Sequence, residues 1–183
     1  DNSYIQKSVL AAFERMYADA KADGITLRVT SASRNFNTQK YIWESKIKEY
    51  TEKYPDRIEC AKRVLKYISL PGTSRHHWGT DLDFISKRPS YWDSAQGIKA
   101  YTWLEANAHK YGFFQPFGEG RTSGHGEEKW HWSYYPLSDL YLKEYLKLVT
   151  TSDINGFKSD FSAEKFSVIS DYVQAISAHG ENS

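Results

Sequence analysis

The chain has 183 residues, of which 40% are hydrophobic and 26% are charged, and this composition fits one globular domain with a sizeable core. Its 24 basic and 23 acidic residues leave a net charge of +1 with no basic run, which argues against nucleic acid as a partner. No apolar stretch approaches the length of a transmembrane helix, so we expect no membrane span, and we expect a monomer. The single cysteine, Cys60, excludes an intrachain disulfide and a zinc site built from several cysteines.

Helices and short strands alternate along the chain. Apolar residues at three- and four-residue steps between Ile5 and Ala20 predict an amphipathic helix that stops at Gly24. The alternation that follows Gly24 is typical of a strand, and Pro55 suits the first position of a later helix. We predict helices at residues 1–22, 38–53, 55–67, 94–111, 137–149 and 162–178. We predict strands at residues 25–33, 79–84, 113–117 and 129–135, and a glycine-rich loop at 118–126.

This order of elements predicts the fold class. The strands lie far apart in the sequence and have helices between them, so we predict an α+β fold with a small, mainly antiparallel sheet flanked by helices. We assign residues 1–150 to the main domain and residues 151–183 to a C-terminal helical extension that packs on the same domain.

Two short segments carry the candidate functional residues. The segment from Ser74 to Asp83 contains His76, and the segment from Glu127 to Trp132 contains His131. Two histidines and one carboxylate form a known ligand set of catalytic zinc, so His76, Asp83 and His131 are the candidate ligands. Asp81 shares a strand face with Asp83, and spacing alone leaves open which of the two aspartates binds metal. The remaining histidines are interpreted as ordinary polar residues, namely His77, His109, His125 and His179.

A glutamate precedes His131 by three residues and is a candidate general base. Zinc hydrolases need a carboxylate that takes a proton from the attacking water, and Glu128 is placed for that role. In an extended segment Glu128 and His131 would lie on opposite faces, so a bend before Trp130 is required. Glu127 is the competing candidate.

These motifs resemble the signature of the D-alanyl-D-alanine metallocarboxypeptidases, which include VanY-type carboxypeptidases, VanX-type dipeptidases and related phage peptidoglycan endopeptidases. The resemblance rests on Ser74-x-His76-x-x-Gly79-x-x-x-Asp83 followed by Glu128-x-Trp130-His131. It extends to a Ser-x-x-Arg stretch that ends at Arg34, with a glutamine five residues on, and to the segment 103–113. It covers about residues 10–135.

The resemblance implies a role for each matching residue. His76, Asp83 and His131 would be the zinc ligands, on the sheet, and Glu128 would be the catalytic base. Arg34 would stabilise the oxyanion. The substrate-binding residues predicted in this way or beside the metal are Ser74, Gln39 and Asp81.

Asp81 departs from the family pattern, which often has alanine there. An extra carboxylate beside the metal could bind a substrate ammonium group, act on the site through a ligand, or point away. We therefore name Asp81 as a candidate substrate contact that bears on the terminal specificity.

The activity implied by the resemblance is a zinc-dependent carboxypeptidase that removes the terminal D-Ala from peptidoglycan stem peptides. The cell envelope, either periplasmic or secreted, is then the expected location, with no signal peptide in this chain. An L,D-carboxypeptidase, a D,D-dipeptidase or a peptidoglycan endopeptidase of the same fold are the alternatives. A zinc-stabilised cell-wall-binding module without turnover is less favoured, because a structural zinc site normally has a fourth protein ligand.

Overall fold

The computed structural model describes residues 4–158 and 163–178. Its α-helices are α1 (Lys7–Ala22), α2 (Phe36–Thr51), α3 (Arg57–Leu65), α4 (Ala95–Asn107) and α5 (Tyr135–Leu148). Its strands are β1 (Val29–Ser31), β2 (Asp81–Phe84), β3 (Phe113–Phe114) and β4 (His131–Tyr134). Short 3₁₀ turns lie at Arg75–Trp78, Pro89–Asp93, Ala108–Tyr111, Thr151–Asp153 and Ala163–Phe166.

The helices lie close to their predicted positions, with corrected ends. The first helix begins at Lys7, and residues 1–3 of its predicted range lie outside the described residues. The prediction that Pro55 begins a helix is wrong, because Asp56 caps that helix and its carboxylate accepts from the backbone N–H groups of Ile58 and Glu59. The fourth helix ends as predicted at Gly112, which has φ +83°, but its last turn is 3₁₀.

The strands are shorter than predicted. The predicted strand 25–33 is reduced to β1, and only Phe113 and Phe114 of the segment 113–117 pair with a neighbour. The last strand ends at Tyr134, and α5 begins directly afterwards with Pro136 in its first turn. Proline is accepted there because the first helical N–H groups have no intrahelical partner.

The segment after α5 is not the single α-helix that was predicted for residues 162–178. A 3₁₀ turn at Ala163–Phe166 is followed by a π-helical stretch at Val168–Gln174. Ser167 separates the two with φ +48°, a left-handed conformation that interrupts a helix. Residue 162 lies outside the described part of the chain.

The sheet confirms the predicted α+β class. The strand order is β1-β2-β4-β3, and every neighbouring pair is antiparallel. In the central pair Asp83 lies opposite His131 and Asp81 lies opposite Ser133. Residues opposite each other in an antiparallel pair share a face, so one face of the sheet carries both aspartates and His131.

Two hydrophobic clusters hold the elements together. The first joins α1, α4 and the sheet, and it includes the buried Leu82 and Phe84, whose side chains alternate with those of Asp81 and Asp83. The second joins α2 and α3, through Trp43 and Leu65, to Ile154 and Phe166 of the C-terminal segment. The C-terminal segment therefore shares a core with the rest of the domain, while its boundary at residue 151 stays a prediction.

Arg121 ties the C-terminal segment to the loop that leads to Glu128. Its guanidinium donates to the carbonyl oxygens of His125 at 2.7 Å and Ala175 at 2.6 Å, with longer bonds to those of Pro116 and Ser123. In the described part of the chain, no helix has the length and apolarity to cross a membrane.

Candidate metal and catalytic site

His76 lies in the 3₁₀ turn Arg75–Trp78. Gly79 ends this turn with φ +69°, and the chain then reverses into β2. Glycine adopts this left-handed conformation without the strain that a side chain introduces. The turn and the strand therefore bring His76 and Asp83 to the same side.

His76, Asp83 and His131 converge in the interior. The Oδ1 atom of Asp83 lies 3.3 Å from Nε2 of His76 and 3.3 Å from Nδ1 of His131. One ligand atom from each residue lies within 4.8 Å of the other two, and all three residues are buried. The group could therefore hold a metal ion.

The hydrogen bonds of the two rings leave one nitrogen of each directed at Asp83. Nδ1 of His76 donates to the carbonyl oxygen of Ala32 at 2.8 Å, and Nε2 of His131 donates to Oδ2 of Asp81 at 2.8 Å. Among the described residues, neither Nε2 of His76 nor Oδ1 of Asp83 has a hydrogen-bond partner, although both are buried. Buried polar atoms without a partner are rare, and imidazole and carboxylate together suit zinc. The donor set fits a zinc ion.

The electrostatics of the cluster agree with a cation site. Burial and the charge of Arg34 lower the pKa of His76 to about 4, so this ring is neutral and able to bind metal at pH 7. Burial favours the neutral acid of Asp83, but the adjacent rings of His76 and His131 keep its pKa well below the usual range. Burial opposes a proton on His131, yet hydrogen bonds to Asp81, Asp83 and Glu128 raise its pKa well above the usual value. The surrounding carboxylates thus attract positive charge to this position.

Glu128 reaches the cluster through the bend that the sequence requires. The backbone N–H of His131 donates to the carbonyl oxygen of Glu128 at 3.1 Å, which closes a turn through Lys129 and Trp130. Oε2 of Glu128 consequently lies 3.4 Å from Nδ1 of His131. Burial raises the pKa of Glu128. Its neighbour Glu127 is partly exposed.

Arg34 faces the same cluster from the segment before α2. Burial lowers the pKa of its guanidinium, and the charges of Asp83 and Glu128 oppose this effect. Its Nη1 donates to Oε1 of Gln39 at 3.0 Å, whereas its buried Nε has no partner among the described residues. One donor of the guanidinium is therefore available to a ligand.

Gln39 and Ser74 are both buried beside the site. The amide of Gln39 accepts from Arg34 and donates to the carbonyl oxygen of Ser69 at 2.7 Å. This arrangement positions Arg34, and the predicted contact of Gln39 with substrate stays a prediction. Ser74 directly precedes the turn that carries His76, and its predicted contact with substrate stays a prediction.

Asp81 lies beside His131 and is held by protein groups. Its side chain is fully buried, and its two oxygens accept from His131, Arg75, Thr80 and Ser133. Protein groups thus occupy the acceptor positions of both oxygens, and the predicted contact of Asp81 with substrate stays a prediction. Of the three alternatives, the geometry favours action through a metal ligand.

The other histidines have the ordinary roles that were predicted wherever the structure describes them. His77 donates from Nδ1 to the carbonyl oxygen of Arg34 and accepts at Nε2 from the N–H of Gly72. His125 contacts the carbonyl oxygen of Leu65 through Nδ1 and the hydroxyl of Ser69 through Nε2. His109 is exposed, and His179 lies outside the described residues.

Sequence reasoning missed four residues beside the site. Arg75, Thr80 and Ser133 complete the surroundings of Asp81, and the ring of Phe117 lies against His131 at 4.9 Å between centroids. The strand register that pairs Asp81 with Ser133 is the signal that could have found one of them. Arg75 and Phe117 carry no local pattern that separates them from other residues of their type.

Comparisons with known proteins show which family the chain resembles. The family model described as "VanY: D-alanyl-D-alanine carboxypeptidase" matches residues 2–137. A D-alanyl-D-alanine carboxypeptidase of Enterococcus faecalis is 27% identical over 141 residues, which are 72% of this chain and 51% of that protein. The chain thus spans about half the length of this curated relative.

Solved structures share the fold. A Zn(II) complex of a mutant of the vancomycin resistance D,D-pentapeptidase VanY has a TM-score of 0.63 at 24% identity, covering 80% of this chain and 85% of that one. The LD-carboxypeptidase LdcB has a TM-score of 0.58 at 23% identity, covering 80% of this chain and 70% of that one. Since the matched residues 2–137 include His76, Asp83, Glu128 and His131, the chain belongs to the VanY family of D-alanyl-D-alanine carboxypeptidases.

Proposed function

We propose that this protein is a zinc-dependent carboxypeptidase that removes the terminal D-Ala from peptidoglycan stem peptides. The observation that carries the proposal is the convergence of His76, Asp83 and His131. Oε2 of Glu128 lies 3.4 Å from Nδ1 of His131, and the guanidinium of Arg34 interacts electrostatically with Asp83 and Glu128. A zinc site with three protein ligands keeps a position open for water or substrate, which is the arrangement of catalytic zinc. Substrates of this kind lie in the cell envelope, and we propose that location for the protein.

The residues of the chain divide the reaction between them. His76, Asp83 and His131 would hold the zinc ion, which supplies Lewis acidity to polarise the scissile carbonyl and to activate water. Glu128 accepts a proton from the attacking water at its carboxylate and returns it to the nitrogen of the leaving D-Ala. Its burial, at 5% exposure, keeps bulk water from competing for that proton.

Arg34 stabilises the negative charge that develops on the carbonyl oxygen. Its buried Nε has no partner among the described residues, so it can donate to that oxygen without first losing a bond. Oε1 of Gln39 accepts from Nη1 of Arg34 and so holds the guanidinium in position. A hydrogen-bond donor that is already in position stabilises the transition state most, because the negative charge on the oxygen develops there. Loss of one such donor typically lowers kcat by about 10²–10³-fold.

The relatives support the choice of a stem peptide as substrate. A D-alanyl-D-alanine carboxypeptidase and a D,D-pentapeptidase are among the proteins that this chain resembles. An LD-carboxypeptidase shares the fold as well, so cleavage after an L-residue is the second candidate. The stereochemistry at the scissile bond therefore has to be read from the products.

A pair of pentapeptides tests whether the enzyme reads a free terminus. The two peptides end in D-Ala-D-Ala, one with a free carboxylate and the other with a terminal amide. We expect kcat/KM to fall by at least about tenfold on the amide, which is roughly 1.4 kcal/mol of transition-state binding. Equal cleavage of both peptides would favour an endopeptidase, and cleavage of neither by the zinc-loaded protein would contradict the proposed class.

A further inference from the structure

A closed hydrogen-bond network lies behind His131. Oδ2 of Asp81 accepts from Nε2 of His131 at 2.8 Å and from Nε of Arg75 at 3.0 Å. Oδ1 of Asp81 accepts from the hydroxyls of Thr80 at 2.7 Å and Ser133 at 2.8 Å. An ionised carboxylate offers about four acceptor positions, and all of them are used here. The network is therefore complete without substrate.

This network decides which nitrogen of His131 is free. The imidazole that binds a metal ion is neutral and carries one proton, and a carboxylate that can only accept draws that proton to Nε2. The lone pair then lies on Nδ1, which faces Asp83 at 3.3 Å. A flipped ring would place carbon atoms against both aspartates and lose these contacts.

We propose that Asp81 is a positioning residue for the metal site, which fixes the tautomer and the orientation of His131 so that Nδ1 is presented to zinc. The inference rests on the zinc site of the proposed function and goes beyond its ligands. Partners that orient a ligand in this way typically contribute about 10–100-fold to metal affinity. Asp81 would thus act on the reaction through His131 without touching the substrate.

The competing role for Asp81 is to neutralise Arg75. The guanidinium of Arg75 is buried at 1% side-chain exposure, lies 4.8 Å from the ring of Trp78, and donates through Nη2 to Ser133. Removal of Asp81 alone would leave this charge unpaired, and such a loss typically destabilises a protein by about 3–5 kcal/mol. A test must therefore remove the charge of Arg75 first.

Three variants separate the two roles. They are Arg75→Met, Arg75→Met with Asp81→Asn, and Arg75→Met with Asp81→Leu, and zinc affinity is measured by competition with a chromophoric chelator. The asparagine oxygen still accepts from Nε2 of His131, while its NH₂ group faces the hydroxyls of Thr80 and Ser133, which can rotate to accept. Leucine has a similar size but no acceptor.

We expect zinc affinity to stay within a few-fold of wild type for Arg75→Met and for the asparagine variant, and to fall at least about tenfold for the leucine variant. Equal affinity of the leucine variant and Arg75→Met would overturn the inference. If wild type itself binds no zinc, the proposed function fails, and the inference fails with it. If wild type binds zinc and the leucine variant binds it as tightly as Arg75→Met does, the role inferred for Asp81 is contradicted while the proposed function stands.

Nitrogen NMR of the wild-type protein provides a test that does not depend on the folding of any variant. In zinc-loaded protein labelled with ¹⁵N-histidine, we expect a proton on Nε2 of His131 and the metal on Nδ1. A proton on Nδ1, or metal on Nε2, would overturn the inference.

Discussion

Nε2 of His76 and Oδ1 of Asp83 lie 3.3 Å apart in the interior, and neither has a hydrogen-bond partner among the described residues. A buried donor or acceptor without a partner destabilises a protein by about 1–3 kcal/mol. A cation bound between these two atoms and Nδ1 of His131 would give both of them a partner. The relation between these two atoms is therefore the basis of the metal assignment.

The first prediction concerns metal content. Wild-type protein should carry about one zinc per chain, and His76→Ala, Asp83→Ala and His131→Ala should each lose it because three protein ligands form the site. His77→Ala is the matched control, since both ring nitrogens of His77 are engaged by backbone groups. Elemental analysis after purification measures the result, and full zinc content in His76→Ala would contradict the ligand assignment.

The second prediction separates the two neighbouring glutamates. Glu128→Gln should retain zinc but lose about 10²–10⁴-fold in kcat, because a general acid–base group contributes that much. Glu127→Gln should be near neutral, since Glu127 is partly exposed and Oε2 of Glu128 is the atom beside His131. Steady-state kinetics on a pentapeptide measure the effect. An inactive Glu127→Gln beside an active Glu128→Gln would reverse the assignment.

A third prediction concerns Arg34 and the residue that positions it. Arg34→Lys should lower kcat by about 10²–10³-fold, because a lysine lacks the Nε donor and the planar fork. Gln39→Ala should lower kcat less, since it frees the guanidinium without removing it. Zinc content should be unchanged in both variants. A larger loss in Gln39→Ala than in Arg34→Lys would indicate that Gln39 contacts the substrate directly.

The fourth prediction concerns acid stability and His125. Burial lowers the pKa of His125 to about 3, so the folded ring stays neutral while an unfolded histidine takes up a proton near pH 6.5. Between these values the unfolded state binds more protons, and stability therefore falls as the pH falls. From pH 7 to pH 5 this group alone should remove about 2 kcal/mol from the free energy of unfolding.

Denaturant titrations of wild type and His125→Gln at both pH values test this. The other titratable groups are common to both proteins, so the change in their difference reports His125. Ser69→Ala is the control, because it removes a hydrogen bond to the ring but keeps the buried histidine. A wild-type-to-variant difference that is the same at pH 7 and pH 5 would contradict the prediction.

The convergence of the site residues could be predicted because the signals are local. Gly79 marks the turn between His76 and Asp83, and the required bend before Trp130 follows from the spacing of Glu128 and His131. The role of Asp81 could not be predicted in the same way. Alternation places it on the metal face of β2, but its partners come from β4 and from a turn, and only the register brings them together.

The C-terminal segment shows where local patterns stop being informative. Its apolar spacing predicts one helix, whereas Ser167 adopts φ +48° and the chain follows the loop before Glu128. The approach is close, since a Cβ atom at Gly124 would lie 1.9 Å from the carbonyl oxygen of Asp171. The contacts of this segment with the loop around Gly124 override its helix propensity. A single sequence does not reveal which distant loop a segment will contact.

Release of D-Ala from a defined stem pentapeptide is the decisive test of the proposed activity. Zinc-loaded wild type, metal-free wild type and Glu128→Gln are each incubated with a pentapeptide ending in D-Ala-D-Ala, and the products are identified by mass. We expect zinc-loaded wild type to release one free D-Ala per peptide, and the other two samples to release little. The proposed activity would be contradicted if the protein binds zinc at His76, Asp83 and His131 but leaves the pentapeptide intact. It would also be contradicted if the zinc-loaded protein cuts the pentapeptide only at an internal bond.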